Sequence, residues 1–235
     1  MVNVAVAGGT GGVGQTIVEV LGSSQHQAFV LSRKVPAYWA HPPQLKDYFA
    51  AIETLKVSNL EWTVFHNGIF LDYFGGPGMK SYLKPNVFAI DIANKVAAIP
   101  GTGDVPVTFT YTFDLARFVV AALDLEEWNE ESRVVGDAVT WNEFVGLAEE
   151  VTGSKFEKTY DSIEKLKRFE ITELPSHVTL YEHFPKKAFQ WFMSIFELFT
   201  TDESSHIARD GSLNEQFPDI KMLTVRGMLE TYWKA

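Results

Sequence analysis

The sequence predicts an α/β fold: a mostly parallel sheet flanked by helices, followed by a smaller α+β lobe. Three observations predict it. The first 34 residues read as strand, glycine turn, helix and second strand. Apolar runs and helical patterns then alternate to about residue 135, and beyond that point amphipathic helices dense in aromatics take over. The expected division is therefore a sheet domain over 1–135, with about 70–110 partly contributing to the second lobe, and a C-terminal lobe over 136–235.

The opening strand, Val2 to Ala7, is small or apolar at every position except Asn3, as in a strand covered on both faces. Gly8-Gly9-Thr10-Gly11-Gly12-Val13-Gly14 follows, with Gly8, Gly11 and Gly14 spaced three apart. A side chain at the first would obstruct the tight turn. One at the second would hold a pyrophosphate off the backbone, and one at the third would hold the helix off the strand. The helix from Gln15 to Leu21 then offers free N–H groups at its start, and Gly22 ends it. A glycine fingerprint between a strand and a helix is the context that marks a dinucleotide site. Gly8, Thr10, Gly11, Gly12, Val13 and Gly14 are its candidate cofactor-binding residues, and the sheet is predicted to be NAD(P)-binding and Rossmann-like. The second strand, Ala28 to Leu31, ends at Ser32-Arg33-Lys34, where an acidic residue would be expected to take the ribose 2′-hydroxyl of NAD. Arg33 and Lys34 suit a 2′-phosphate instead, so the cofactor expected is NADP(H).

Further on, a helix is expected from Gln44 to Lys56 and a strand over Glu61–Phe65, closed by His66-Asn67-Gly68. Short strands are expected at Val87–Ile90, Lys95–Ile99 and Val107–Thr110, then a helix from Phe113 to Leu125 with Thr112 or Asp114 as cap. Arg133–Val135 reads as a late strand. Thr140-Trp141-Asn142-Glu143 is a capping box, and Asp161-Ser162-Ile163-Glu164 repeats the device. The aromatic run Tyr181 to Phe199, with a helix from near Lys186, reads either as lobe core or as the wall of an aromatic substrate pocket. A last amphipathic helix covers Val225–Trp233.

With 235 residues, 46% of them hydrophobic, the chain can bury a sizeable core. The net charge of −10 argues against direct nucleic-acid binding. The absence of cysteine removes disulfides, thiolate nucleophiles and cysteine-based zinc sites. No apolar run reaches membrane-spanning length and the start carries no basic leader pattern, so a cytoplasmic protein without a membrane role is expected, the nucleus being also open.

The glycine turn, the Arg33 strand tip, Leu60 to Gly68 and the Phe113–Leu125 helix together resemble the NmrA-like and isoflavone-reductase-like proteins, atypical short-chain dehydrogenase relatives, and their fungal members in particular. The resemblance runs from Met1 to Ala235. It implies an NADP-binding domain, a smaller substrate lobe and a cleft between them. Members either reduce small phenylpropanoid-type aromatics or bind the dinucleotide as redox-reporting regulators acting through a protein partner. The chain departs from the pattern between its second and third strands. Only 29 residues, Ser32 to Leu60, intervene, enough for one crossover where the family has three further strands. An internal deletion near Val35-Pro36 is expected to leave the sheet short of central strands, so a truncated isoform with impaired cofactor binding is a further reading.

No Tyr-x-x-x-Lys pair occurs. The resemblance implies a catalytic lysine on the helix before Glu61–Phe65, and Lys46 lies nearest, about one residue out of register; a solvated helix lysine is the competing reading. His66 and Asn67 at a strand end are either cleft residues or turn caps. The histidines show no metal spacing, and no G-x-S-x-G occurs.

Overall fold

A computed structural model describes residues 1–31 and 44–234, with side chains for 1–30 and 50–234. Its first part holds β1 (Asn3–Ala7), α1 (Gly12–Leu21), β2 (Gln27–Leu31), α2 (Gln44–Lys56), β3 (Val64–His66) and β4 (Ile69–Phe70). Next come β5 (Ile90–Asp91), β6 (Val96–Pro100), β7 (Pro106–Thr110), α3 (Thr112–Ala122), β8 (Glu131–Arg133) and β9 (Asp137–Thr140). The remainder is α4 (Trp141–Thr152), β10 (Glu157–Asp161), α5 (Ile163–Lys167), α6 (His177–Leu180), α7 (Lys186–Phe199), α8 (Leu213–Gln216) and α9 (Val225–Tyr232).

The strands form four small sheets among the described residues, not one large one. β1 and β2 pair in parallel, from Asn3 opposite Gln27 to Ala7 opposite Leu31. β3 pairs in parallel with β8, and β4 with β7, while β9 adds antiparallel to β7. β10 lies parallel to β6, and β5 antiparallel to it. The chain passes from β3 to β4 through Gly68, which takes φ +69° and sits where a β-carbon would overlap the Thr108 carbonyl.

β1 has no described neighbour besides β2, which corrects the expectation of a strand covered on both faces. Val4, Val6 and Ala28 pack with Ile17, Val18 and Leu21 of α1 and with Val120 and Leu123 at the end of α3. The opposite face carries Ala5, Ala7 and Phe29, all exposed, Phe29 by 50%. The physical reason lies in the short link from β2 to β3, which leaves too little chain for the strands and helices that would cover that face and edge.

Helix α3 joins the parts. One flank meets α1, and the other packs Leu115, Phe118 and Ala122 with Phe65, Phe70, Val134 and Leu213. The expectation that Thr112 or Asp114 caps its first turn is corrected: neither does. Asp72 does it from a neighbouring turn, accepting from the Thr112 amide at 2.9 Å and hydroxyl at 2.6 Å. Asp114 instead is buried and accepts from the Leu223 amide at 2.6 Å, tying the C-terminal segment to the helix. Asn214 does similar work beside β8: its amide accepts from and donates to the Val135 backbone at 2.9 and 3.0 Å.

The main core gathers Leu71, Phe74, Phe88, Ile99 and Phe109 with Trp141, Phe144, Phe189, Met193 and Met228. Trp141 is fully buried, edge-on to Phe109 at 5.3 Å, and its indole donates to Thr200 Oγ1 at 3.0 Å. The Thr140–Glu143 capping box forms as expected and starts α4. The second device starts one residue later: Ser162, not Asp161, caps α5 by accepting from the Lys165 amide. Asp161 is buried and turned inward, where it accepts from Thr172 and from Lys165 Nζ at 2.7 Å.

Candidate functional site

The glycine turn lies at the carboxyl end of β1, where a parallel α/β sheet places its ligands. Gly8 takes φ +73°, which an L side chain rarely adopts, so the turn itself demands glycine there. At Gly14 a β-carbon would overlap the Gly8 carbonyl, so the third glycine lets the helix close on the turn. Gly11 is different. A β-carbon there would meet only the Gly8 carbonyl oxygen, at 3.3 Å, and otherwise open space. Gly8, Thr10 and Gly11 are exposed and Gly9 is buried, so the turn presents its apex outward. Gly11 is the N-cap of α1 with no side-chain cap, and the first turn is free of acidic residues. A positive dipole end therefore faces outward over glycines, a fitting cradle for an anion.

One feature of the turn was not legible beforehand. Gly12 begins α1 and lies beneath residues 82–83: a β-carbon would meet Leu83 Cδ2 at 2.8 Å and the Tyr82 carbonyl at 3.1 Å. Glu19 of α1 holds that segment in place by pairing with Lys80 and accepting from the Tyr82 hydroxyl at 2.6 Å. The resulting bonds hold the Glu19 carboxyl below its usual range, the Lys80 bond contributing most. Lys80 also lies over the Phe113 ring, 4.9 Å from its centroid. Gly22 stands at the C-cap of α1, but in right-handed helical conformation and not in the left-handed one of a glycine stop. Arg33 and Lys34 lie outside the described residues. Lys46 falls within α2, but its side chain lies outside them too.

A cleft of about 1020 Å³ runs beside β3. Its floor is consecutive sequence, Val64 to Phe70 with His66 and Asn67 at the strand end. Because alternate strand residues face opposite ways, consecutive lining means that the cleft follows the strand's edge, the one away from β8. α2 forms one side with Ile52, Glu53 and Lys56, and α7 the other with Phe192, Met193, Phe196 and Phe199. The aromatic run divides between the core and the cleft wall. Phe189 and Met193 are core, while Phe192, Phe196 and Phe199, at helical spacing, turn to the cleft. His66 lines the cleft, and its carbonyl accepts from the Val134 amide at 2.8 Å. Tyr73 also lines it, and burial raises its phenol above the usual range. Among the described residues no group of three or more His, Cys, Asp or Glu side chains could hold a metal ion, and no helix is long and apolar enough to cross a membrane.

A parallel β-α-β start with an open glycine turn is the opening unit of a Rossmann-like fold. Solved structures agree. A ternary complex of leucoanthocyanidin reductase from Vitis vinifera is 13% identical with a TM-score of 0.66, covering 97% of this chain and 98% of that one. The triphenylmethane reductase of a Citrobacter species, complexed with NADP(H), is 13% identical with a TM-score of 0.67, covering 99% and 100%. The solved structure of an isoflavone reductase shares the fold at 14% identity and a TM-score of 0.58, and in sequence the chain is similar to fungal proteins named as oxidoreductases. Oxidoreductase BOA1 of Botryotinia fuckeliana is 35% identical over 170 residues, which are 72% of this chain and 53% of that protein. Oxidoreductase swnN of Metarhizium robertsii is 28% identical over 190 residues, 78% of this chain and 55% of that protein. The chain thus spans about half the length of these curated relatives. No family model matches it.

Proposed function

We propose that the protein is an NADP(H)-dependent oxidoreductase that acts on a small, largely apolar and aromatic substrate in the β3 cleft. The observation that carries this reading is the glycine turn, with glycine forced at Gly8 and Gly14 and an open, uncapped apex at Gly11. That geometry fits a pyrophosphate held by the amides of Gly11, Gly12 and Val13, with Thr10 at the rim. Arg33 and Lys34, which follow β2 in the sequence, are assigned to the 2′-phosphate. The homologous oxidoreductases and the NADP(H) complex in the same fold support the assignment.

When bound, the nicotinamide supplies or accepts a hydride. The chain's own contribution is a half-exposed aromatic wall from α7 on which an apolar ring would pack, and proton-carrying groups beside the strand end. His66 lines the cleft and is assigned the proton role alongside Lys46. Titration of the protein with NADPH and with NADH, followed by fluorescence, tests the cofactor assignment. Turnover of NADPH with a small aromatic ketone or enone, reduced by His66→Gln or Lys46→Ala, tests the chemistry.

A second reading is favoured by the absence of a Tyr-x-x-x-Lys pair and by the single described neighbour of β1. In it the chain binds dinucleotide without turnover and reports on it to a protein partner, or binds it weakly as a shortened isoform. Tight NADPH binding with no hydride transfer to any carbonyl probe would favour the regulator, and weak binding the shortened isoform.

A further inference from the structure

Glu197 is a carboxyl in a place where the helix pattern calls for an apolar side chain. On α7 the positions Phe189, Met193 and Glu197, four apart, form the buried stripe, and Glu197 is 1% exposed. Its Oε2 has no hydrogen-bond partner among the described residues, an isolated case among buried side-chain atoms. The surroundings explain what state it is in. The charges acting on it are those of Asp161 on β10, itself fully buried, and of Lys165 on α5, the helix packed against α7. Lys165 is already bonded to Asp161 at 2.7 Å and to Thr172 at 2.6 Å. The other charged side chains of these neighbours, Glu157 and Lys158 of β10, Glu164 and Lys167 of α5, and Glu203 of the 3-10 turn 203–205, are exposed. One cation thus serves two buried carboxyls, and the charge count closes only if Glu197 keeps its proton. Burial drives the carboxyl in the same direction, well above its ordinary value.

The opposite face of the same turn is the cleft wall. Phe196 and Phe199 line the cleft and are 44% and 39% exposed. The turn is fastened on its core side through Thr200, whose hydroxyl donates to the Glu197 carbonyl at 2.7 Å while accepting from Trp141. We propose that Glu197 is a proton-held latch: neutral, it seats the last turn of α7 on β10 and α5, and its deprotonation lifts that turn and withdraws Phe196 and Phe199 from the cleft. In that step the Glu197 carboxyl gives its proton to solvent base, and the carboxylate, repelled by Asp161 and without a cation of its own, moves toward water.

Two readouts on the whole chain test this, compared between wild type and Glu197→Gln, which keeps the shape without the titration. By infrared difference spectroscopy at neutral pH, wild type shows the carbonyl band of a protonated carboxyl that the variant lacks. By hydrogen exchange, the protection factors of 192–200 in wild type fall at least tenfold between neutral and alkaline pH, while those of β6 and β7 hold. In the variant, 192–200 stay protected across the same range. Should Glu197→Gln fail to fold, Glu197→Met, neutral and of similar volume, takes its place. No difference band, or an equal alkaline loss of protection in variant and wild type, overturns the proposal.

Discussion

At the residue scale the three spaced glycines separate into two kinds, and substitution distinguishes them. Gly14→Ala pushes a methyl group into the Gly8 carbonyl, and Gly8→Ala forces an L residue to φ +73°. Each is expected to destabilise the chain by about 1–3 kcal/mol, read as a lowered urea midpoint. Gly11→Ala meets little resistance within the protein and should leave that midpoint nearly unchanged. Its methyl group points where we place the pyrophosphate, so NADPH affinity should drop by about tenfold or more; unchanged affinity would move the phosphate elsewhere. Glu149 provides a pH prediction. It accepts from the Phe156 amide at 3.0 Å and pairs with Lys155 and Lys158, and the amide bond above all draws its carboxyl down to about 2. A folded-state value depressed below the unfolded one stabilises above the unfolded value. That share is lost as pH falls from about 4.5 to about 2. In acid titrations followed by circular dichroism, Glu149→Gln should be less stable than wild type at neutral pH, and the two should converge at the acid end.

At the element scale, α3 carries the largest structural responsibility, because it packs against α1 on one side and β3, β4 and β8 on the other. Its cap, Asp72, holds Thr112 and also accepts from Ser81 at 2.6 Å. Asp72→Ala should therefore cost about 1–2 kcal/mol in chemical denaturation, more than a surface Asp→Ala such as Asp210→Ala. Such a cap could not be read beforehand, since Asp72 lies 40 residues from the helix it serves, and only local capping patterns are visible in a sequence. The local ones were visible. Thr140 with Glu143 starts α4, and the Gln44–Lys56, Lys186–Phe199 and Val225–Tyr232 helices lie where the period of apolar residues puts them. β9 and β10 were not legible. Glu157-Lys158-Thr159-Tyr160-Asp161 has no apolar alternation because its side chains are mostly exposed, and backbone pairing with β6 is what makes it a strand. Of the site, the glycine turn could be read because each glycine answers a backbone constraint. The β3 cleft could not, since its walls come from α2 and α7, elements far apart in the sequence that only the tertiary fold brings to one strand.

At the scale of the whole molecule, the β1–β2 pair is the least supported part. Among the described residues it has one covered face, a β1 edge without a partner strand and a half-exposed Phe29. Amides of β1 and β2 are expected to exchange faster than those of β6 and β7, whose strands lie in the aromatic core. An unpaired apolar edge also promotes association, so aggregation on warming should grow with protein concentration and fall with Ala5→Lys on the open face. Equal protection of β1 and β6 would show that something covers that edge. NADP(H) binding depends on this same weakly supported pair, since it holds both the glycine turn and the strand that leads to Arg33. A ligand that binds only the folded chain must stabilise it. The most direct measurement is the thermal midpoint with saturating NADPH, with NADH and without nucleotide. The account predicts a rise of several degrees with NADPH, a clearly smaller one with NADH, and loss of that difference in Arg33→Ala. Equal shifts with both nucleotides, or none with either, would contradict it.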